Sequence, residues 1–231
     1  MREDADRPMR YEIKMTCDEV YLPEVRSSIR LHPAGFSEAY PPRQVNNIYL
    51  DTLALDCLED HINGAAERSK LRFRWYGPDH AAVRGMLELK HRVGQLGWKE
   101  YSPVAPTFDL TTIAWQDWLD TLHAHAQGAA AYWLSWRDRP VLLNSYTREY
   151  YESADREIRI TLDYDQAVYE QVMYLVPNLT LQTPTAGCAV VEVKAPSGLH
   201  RRVSNVLSSL PLQVEHNSKY VTGVLDALAF V

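Results

Sequence analysis

The stretch Arg68-Ser69-Lys70-Leu71-Arg72-Phe73-Arg74-Trp75-Tyr76 decides how this chain is read. With a period of two, Leu71, Phe73 and Trp75 share one face and Arg68, Lys70, Arg72 and Arg74 the other. A strand alternates its side chains in this way, so one face is available to a core and the other carries only cations. Like charges along one face repel, and such a face calls for acidic neighbours or an anionic ligand.

The same alternation recurs on both sides of this stretch. It spans Arg10 to Met15, Met86 to Arg92, Trp98 to Tyr101, Val141 to Tyr151, Glu157 to Asp163 and Ala189 to Ala195, with a further strand from Val45 to Asp51. Helices are expected after Pro23, with Val25, Ile29 and Leu31 inward, and from Leu53 to Ile62. Two more are expected, from Leu199 to Leu210 and from a Ser218 cap through Val221, Val224, Leu225 and Leu228. His32 to Pro42 reads as a loop. Trp115, Trp118, Leu119 and Leu122 follow helical spacing and read as a helical insertion around 107–137, packed outside a sheet. Residues 1–9 read as a disordered lead and 10–231 as a single domain.

On the charged strand faces stand Arg10, Lys14, Lys70, Arg72, Arg74, Lys90, Arg92, Lys99, Arg148, Arg159 and Lys194, against Glu12, Glu88, Glu152, Asp163 and Glu192. The chain as a whole carries -6, so basic charge is concentrated on one side of one sheet. That balance argues against a general nucleic-acid binder. A solvated face is the ordinary explanation. The sharper one closes the sheet into a barrel, with charged faces lining a lumen and helices covering the apolar exterior. Arg and Lys in such a lumen need an anion, and rings of them suit a chain of phosphates. Carboxylates among them suit Mg2+ or Mn2+ bridging those phosphates.

Other chemistries fit less well. There is no P-loop motif and no nucleophile elbow. His123 and His125 lie two apart on an expected helix and point to different sides. Cys17, Cys57 and Cys188 are scattered, which suits reduced thiols and a cytoplasmic chain. No apolar run approaches the ~20 residues of a membrane span, and the start of the chain lacks a secretory signal.

Taken in order, eight short motifs resemble the VTC domain, the polyphosphate-polymerase branch of the triphosphate tunnel metalloenzymes in the CYTH-like superfamily. They are Arg10-x-Glu12-x-Lys14, Tyr49-Leu50-Asp51-Thr52, Leu71 to Gly77, Leu87-Glu88-Leu89-Lys90, Tyr146-x-Arg148, Arg159-x-Thr161-x-Asp163, Val191-Glu192-Val193-Lys194 and Ser218-Lys219-Tyr220. The resemblance implies an α+β fold with a closed eight-stranded antiparallel barrel. It implies that Lys14, Arg72, Arg74, Lys90, Lys99, Arg148, Arg159 and Lys219 grip a triphosphate or polyphosphate, with Glu12, Glu88, Lys194 and Ser218 in support. Glu192 would hold the metal and Tyr146 would meet the nucleotide end. The implied reaction transfers the ATP γ-phosphate to a growing polyphosphate chain; the alternatives are a non-catalytic polyphosphate or nucleotide binder, and a triphosphatase acting on ATP or inorganic triphosphate. Hydrolytic relatives begin Glu-x-Glu-x-Lys, whereas Arg10 stands here in place of the first Glu. That departure favours polymerase or binder. The eukaryotic polymerases of this family resemble the chain only in their catalytic domain and work in a membrane complex that draws the product away, which implies that an isolated version either needs a partner, such as a membrane protein, or does not polymerise.

Overall fold

The computed structural model describes residues 10–94, 96–215 and 217–229; the expected lead at 1–9 lies outside them. The strands are β1 (Arg10–Asp18), β2 (Ser37–Asp51), β3 (Glu67–Tyr76), β4 (Gly85–Val93), β5 (Leu96–Pro103), β6 (Arg139–Glu152), β7 (Arg159–Glu170), β8 (Cys188–Pro196) and β9 (Gln213–Val214). The helices are α1 (Leu22–Arg30), α2 (Asp56–Ile62), α3 (Trp115–His125), α4 (Gly128–Leu134), α5 (His200–Ser209) and α6 (Lys219–Leu228). The chain forms two compact units. The first takes residues through Arg43, Thr147–Gln166 and Ala186–Asn217; the second takes Gln44–Tyr146, Ala167–Thr185 and the chain from Ser218.

Within the second unit, β3 pairs antiparallel with β2 and β4, and β4 with β5. Leu71, Phe73 and Trp75 of the opening stretch are buried, as the alternation predicts, together with Leu87 and Leu89 of β4. They pack against Trp115, Trp118 and Leu122 of α3 and Ala130 and Leu134 of α4. Each such apolar side chain contributes about 1.5–3 kcal/mol by leaving water, which keeps the insertion on the apolar face. A second cluster sets Tyr220, Val224 and Ala227 of α6 against Tyr49, Leu142 and Val168.

The first unit repeats this plan. Met15 of β1, Ile160 and Leu162 of β7 and Val191 and Val193 of β8 bury against Val25 and Ile29 of α1 and Val203 and Val206 of α5. α1 starts with Pro23 in its first turn, where a missing N–H is not needed. In both units the helices cover the apolar strand faces, so the polar faces lie on the other side.

Several expectations need correction. The sheet is not a closed eight-stranded barrel: its nine described strands follow the open order β5-β4-β3-β2-β6-β7-β8-β1-β9. β1 gives its second edge, at Met15 and Thr16, to the short β9. Ser37 to Pro42 belongs to β2 rather than to a loop. Leu31 is 83% exposed because α1 stops at Arg30. On α6 the inward stripe is Tyr220, Gly223, Val224 and Ala227, leaving Leu225 and Leu228 exposed. α2 begins at Asp56, three residues later than read, because Leu55 takes a left-handed conformation.

Gly85 sits opposite Trp75 in the β3–β4 ladder. A Cβ there would meet the Arg74 carbonyl oxygen at 2.5 Å and a Phe73 ring carbon at 2.6 Å. Backbone cannot yield as a flexible side chain does, so Gly85→Ala should destabilise the protein by about 1–3 kcal/mol, measured by chemical denaturation.

Candidate functional site

The polar face of β3, β4 and β5 is built from cross-strand rows. Lys70 stands opposite Lys90, and Lys90 opposite Lys99. One row across these strands is therefore made only of lysines, all half-buried, an arrangement that is destabilising by itself. In the next row Arg72 stands opposite Glu88.

Glu88 is 1% exposed and gathers the cations around it. Arg72 Nη2 lies 2.5 Å and Lys99 Nζ 2.6 Å from Oε1, while Arg74 Nη1 lies 3.2 Å from Oε2. Burial alone would raise the Glu88 carboxyl, but Arg72, Arg74 and Lys99 hold it well below the usual carboxylate range. Burial likewise disfavours the Arg72 charge, and Glu88 with the oxygens of Tyr49 and Tyr146 more than restores it. Three cations thus converge on one buried carboxylate.

A polar layer aims these forks. Arg72 Nη1 donates to Tyr49 Oη at 3.2 Å. Arg74 Nε donates to Asn47 Oδ1 at 2.8 Å, its Nη2 donates to Tyr146 Oη at 3.2 Å, and Asn47 Nδ2 donates to Asn144 Oδ1 at 2.8 Å. At the start of α6, Ser218 caps the helix and its Oγ also accepts from Lys70 Nζ at 2.6 Å. Lys219 Nζ lies 4.8 Å from the Tyr146 ring centroid, and Tyr220 donates its hydroxyl hydrogen to the buried Asp51. The second unit thus brings together Lys70, Arg72, Arg74, Glu88, Lys90, Lys99, Tyr146, Ser218 and Lys219.

The first unit holds the other expected residues. Lys14 stands opposite Glu192, Glu12 opposite Lys194, and Thr161 opposite Glu192 on its other side. Glu192 is 6% exposed, and Lys194 Nζ is 2.6 Å from its Oε2. Burial would raise its carboxyl, but Lys194, a hydrogen bond with Glu12, Lys14 and Arg148 bring it well below its ordinary value. Lys14 Nζ also donates to the Asn217 carbonyl at 2.9 Å. Arg148 forms a two-pronged pair with buried Asp163, at 2.5 and 2.7 Å. Arg159 is the outlier: its side chain is 61% exposed and pairs with Glu152 at 2.9 Å.

The family follows from the sequence as a whole. The VTC domain profile matches residues 9–228. The chain belongs to the VTC domain family. Among solved structures, this VTC domain is similar to one described as a candidate adenylate cyclase from Vibrio parahaemolyticus, with 11% identity, a TM-score of 0.47 and coverage of 92% of this chain and 96% of that one. No curated protein matches. No helix among the described residues is long and apolar enough to cross a membrane.

Whether this VTC domain suits a divalent metal can be judged from its donors. Among the described residues no group of three or more His, Cys, Asp and Glu comes together, so there is no all-protein cage. Mg2+ and Mn2+ do not require one: Mg2+ is commonly held by one or two carboxylates plus substrate phosphates. Glu192 and the adjacent Glu12 supply such a pair. The Thr161 Oγ1, opposite Glu192, is buried without a hydrogen-bond partner, so a further oxygen donor stands ready on the same face. The donor set fits the ion.

Sequence reasoning missed Asn47 and Asn144, and held Tyr49, like Thr161, only as part of a motif. β2 is buried on both faces from Val45 to Asp51, so its alternation carries no sign of which side is polar.

Proposed function

We propose that this VTC domain is a metal-dependent polyphosphate polymerase that uses ATP. The observation that carries this reading is the all-lysine row Lys70–Lys90–Lys99, which adjoins the Arg72–Glu88–Arg74 cluster. Buried and half-buried cations at regular cross-strand positions suit a regular chain of anions, and phosphate oxygens match arginine forks and lysine points alike.

In this reading Lys14, Arg72, Arg74, Lys90, Lys99, Arg148, Arg159 and Lys219 hold phosphates, with Glu12, Glu88, Lys194 and Ser218 setting their positions. Arg159 and Arg148 reach phosphate by leaving Glu152 and Asp163 or by sharing with them. Tyr146, whose hydroxyl accepts from Arg74 at 3.2 Å, stands toward the nucleotide end. Glu192 and Glu12 would hold Mg2+ or Mn2+, which supplies neutralisation of developing charge on the phosphoryl oxygens. A terminal oxygen of the polyphosphate chain forms the new bond to the γ-phosphorus, the bond from that phosphorus to the bridging oxygen breaks, and ADP leaves. Phosphoryl transfer asks mainly for positioning and charge neutralisation, which the cations provide. Polymerisation is favoured over hydrolysis because Arg10 occupies the place of a carboxylate in the hydrolytic relatives.

Titration with tripolyphosphate tests the binding half of this reading. Arg72→Ala and Arg74→Ala should each weaken binding by about 1.5–3 kcal/mol, the worth of a charge-assisted hydrogen bond. Unchanged affinity in both would return this face to ordinary solvation.

A further inference from the structure

The nucleotide end poses a separate problem. Tyr146 cannot offer a stacking surface, because it is 2% exposed, Lys219 stands over its ring and Arg74 donates to its hydroxyl. A different aromatic cluster lies in the first unit. The Arg43 guanidinium is 4.9 Å from the Tyr150 ring centroid and 5.6 Å from that of Tyr40, and the two rings meet edge to face at 5.7 Å and 87°. Tyr40 is 56% exposed, and Arg43 is exposed as well.

We propose that Tyr40, Arg43 and Tyr150 form the stacking subsite for the base of the nucleotide, an inference that rests on the phosphate-binding reading above. Tyr150 lies two residues beyond Arg148 on β6, hence on the same face and about 7 Å away. That is the span a ribose bridges between a base and its first phosphates. Pro41 and Pro42, between Tyr40 and Arg43, fix their own φ angles and stiffen the platform. A flat ring beside a guanidinium plane accepts any base by stacking and cation–π attraction. The subsite therefore selects for the presence of a base more than for its identity.

The test compares ATP with tripolyphosphate, titrated under the same divalent ion into the wild-type chain, Tyr40→Ala and Tyr150→Leu. Both variants should bind ATP about five-fold or more weakly, the effect of losing one stacking partner, with tripolyphosphate unaffected and GTP following ATP. Photolabelling with 8-azido-ATP should mark the Tyr40–Arg43 segment or Tyr150. Unchanged ATP affinity in Tyr40→Ala, whose exposed side chain can be removed without unfolding, together with a label elsewhere, overturns the subsite. A wild type that binds tripolyphosphate but gains nothing from the base also overturns it and leaves the phosphate reading standing. Failure to bind tripolyphosphate at all defeats the phosphate reading itself.

Discussion

Replacing Glu192 with Ala should reduce metal-dependent phosphoryl transfer by about three orders of magnitude, equivalent to the several kcal/mol that a bound divalent ion supplies. Glu192 is a buried carboxylate of the first unit, 2.6 Å from Lys194. In the proposed reading, removing it takes away a metal ligand but leaves Lys14, Lys194 and Arg148 in place. Tripolyphosphate binding in metal-free buffer should therefore survive, or even tighten, as a negative charge is lost. Glu192→Gln, which keeps the shape, should behave in the same way and separates the charge from the packing. The measurement is initial rate against Mn2+ concentration for each variant; a rate equal to wild type would remove Glu192 from the metal site.

Glu88→Gln should have the largest effect on stability. Without its charge, Arg72, Arg74 and Lys99 face one another with no counter-ion at 2.5–3.2 Å. Breaking a buried pair from one side costs about 3–5 kcal/mol. The variant should regain more stability than wild type when tripolyphosphate is added, since the added anion supplies what Glu88 had supplied. The pH dependence follows from the direction of the shift. Glu88 has a folded pKa depressed below its ordinary 4.5, so its contribution is complete above about pH 4.5 and is lost as pH falls through the folded value. Wild type should lose stability over that acid window, and Glu88→Gln should lose correspondingly less. Denaturant midpoints measured across pH, with and without tripolyphosphate, decide it. A variant as stable as wild type with the same acid profile would contradict the electrostatic account of this cluster.

The fold was legible where one strand face is apolar and the other charged. Leu71, Phe73 and Trp75 bury as read, and Trp115, Trp118 and Leu122 form the helical cover. Legibility failed where both faces are buried or where a turn overrides the pattern. β2 gave no alternation from Val45 to Asp51, so Asn47, the residue that holds Arg74, could not be singled out. Leu31 and Leu225 kept the apolar spacing yet lie outside, because a helix end and the rotation of a helix are set by packing rather than by sequence period. At the candidate site, residue types and faces were legible, and partners were not. That Glu88 collects three cations, or that Arg148 is locked to Asp163, depends on cross-strand register, which a single strand does not encode. Closure of the sheet was expected both from the charged strand faces and from the resemblance, and the described order is open.

In the proposed reaction, phosphate from ATP ends in a polyphosphate chain. The direct measurement incubates the protein with ATP labelled at the γ-phosphate and Mn2+, with and without a short polyphosphate primer, and resolves the products by length. The expected result is label in chains that lengthen with time, stoichiometric ADP, and a faster onset with primer. Label found only in orthophosphate would make the protein a triphosphatase, and label remaining in ATP despite tight tripolyphosphate binding would make it a binder; either result contradicts the account.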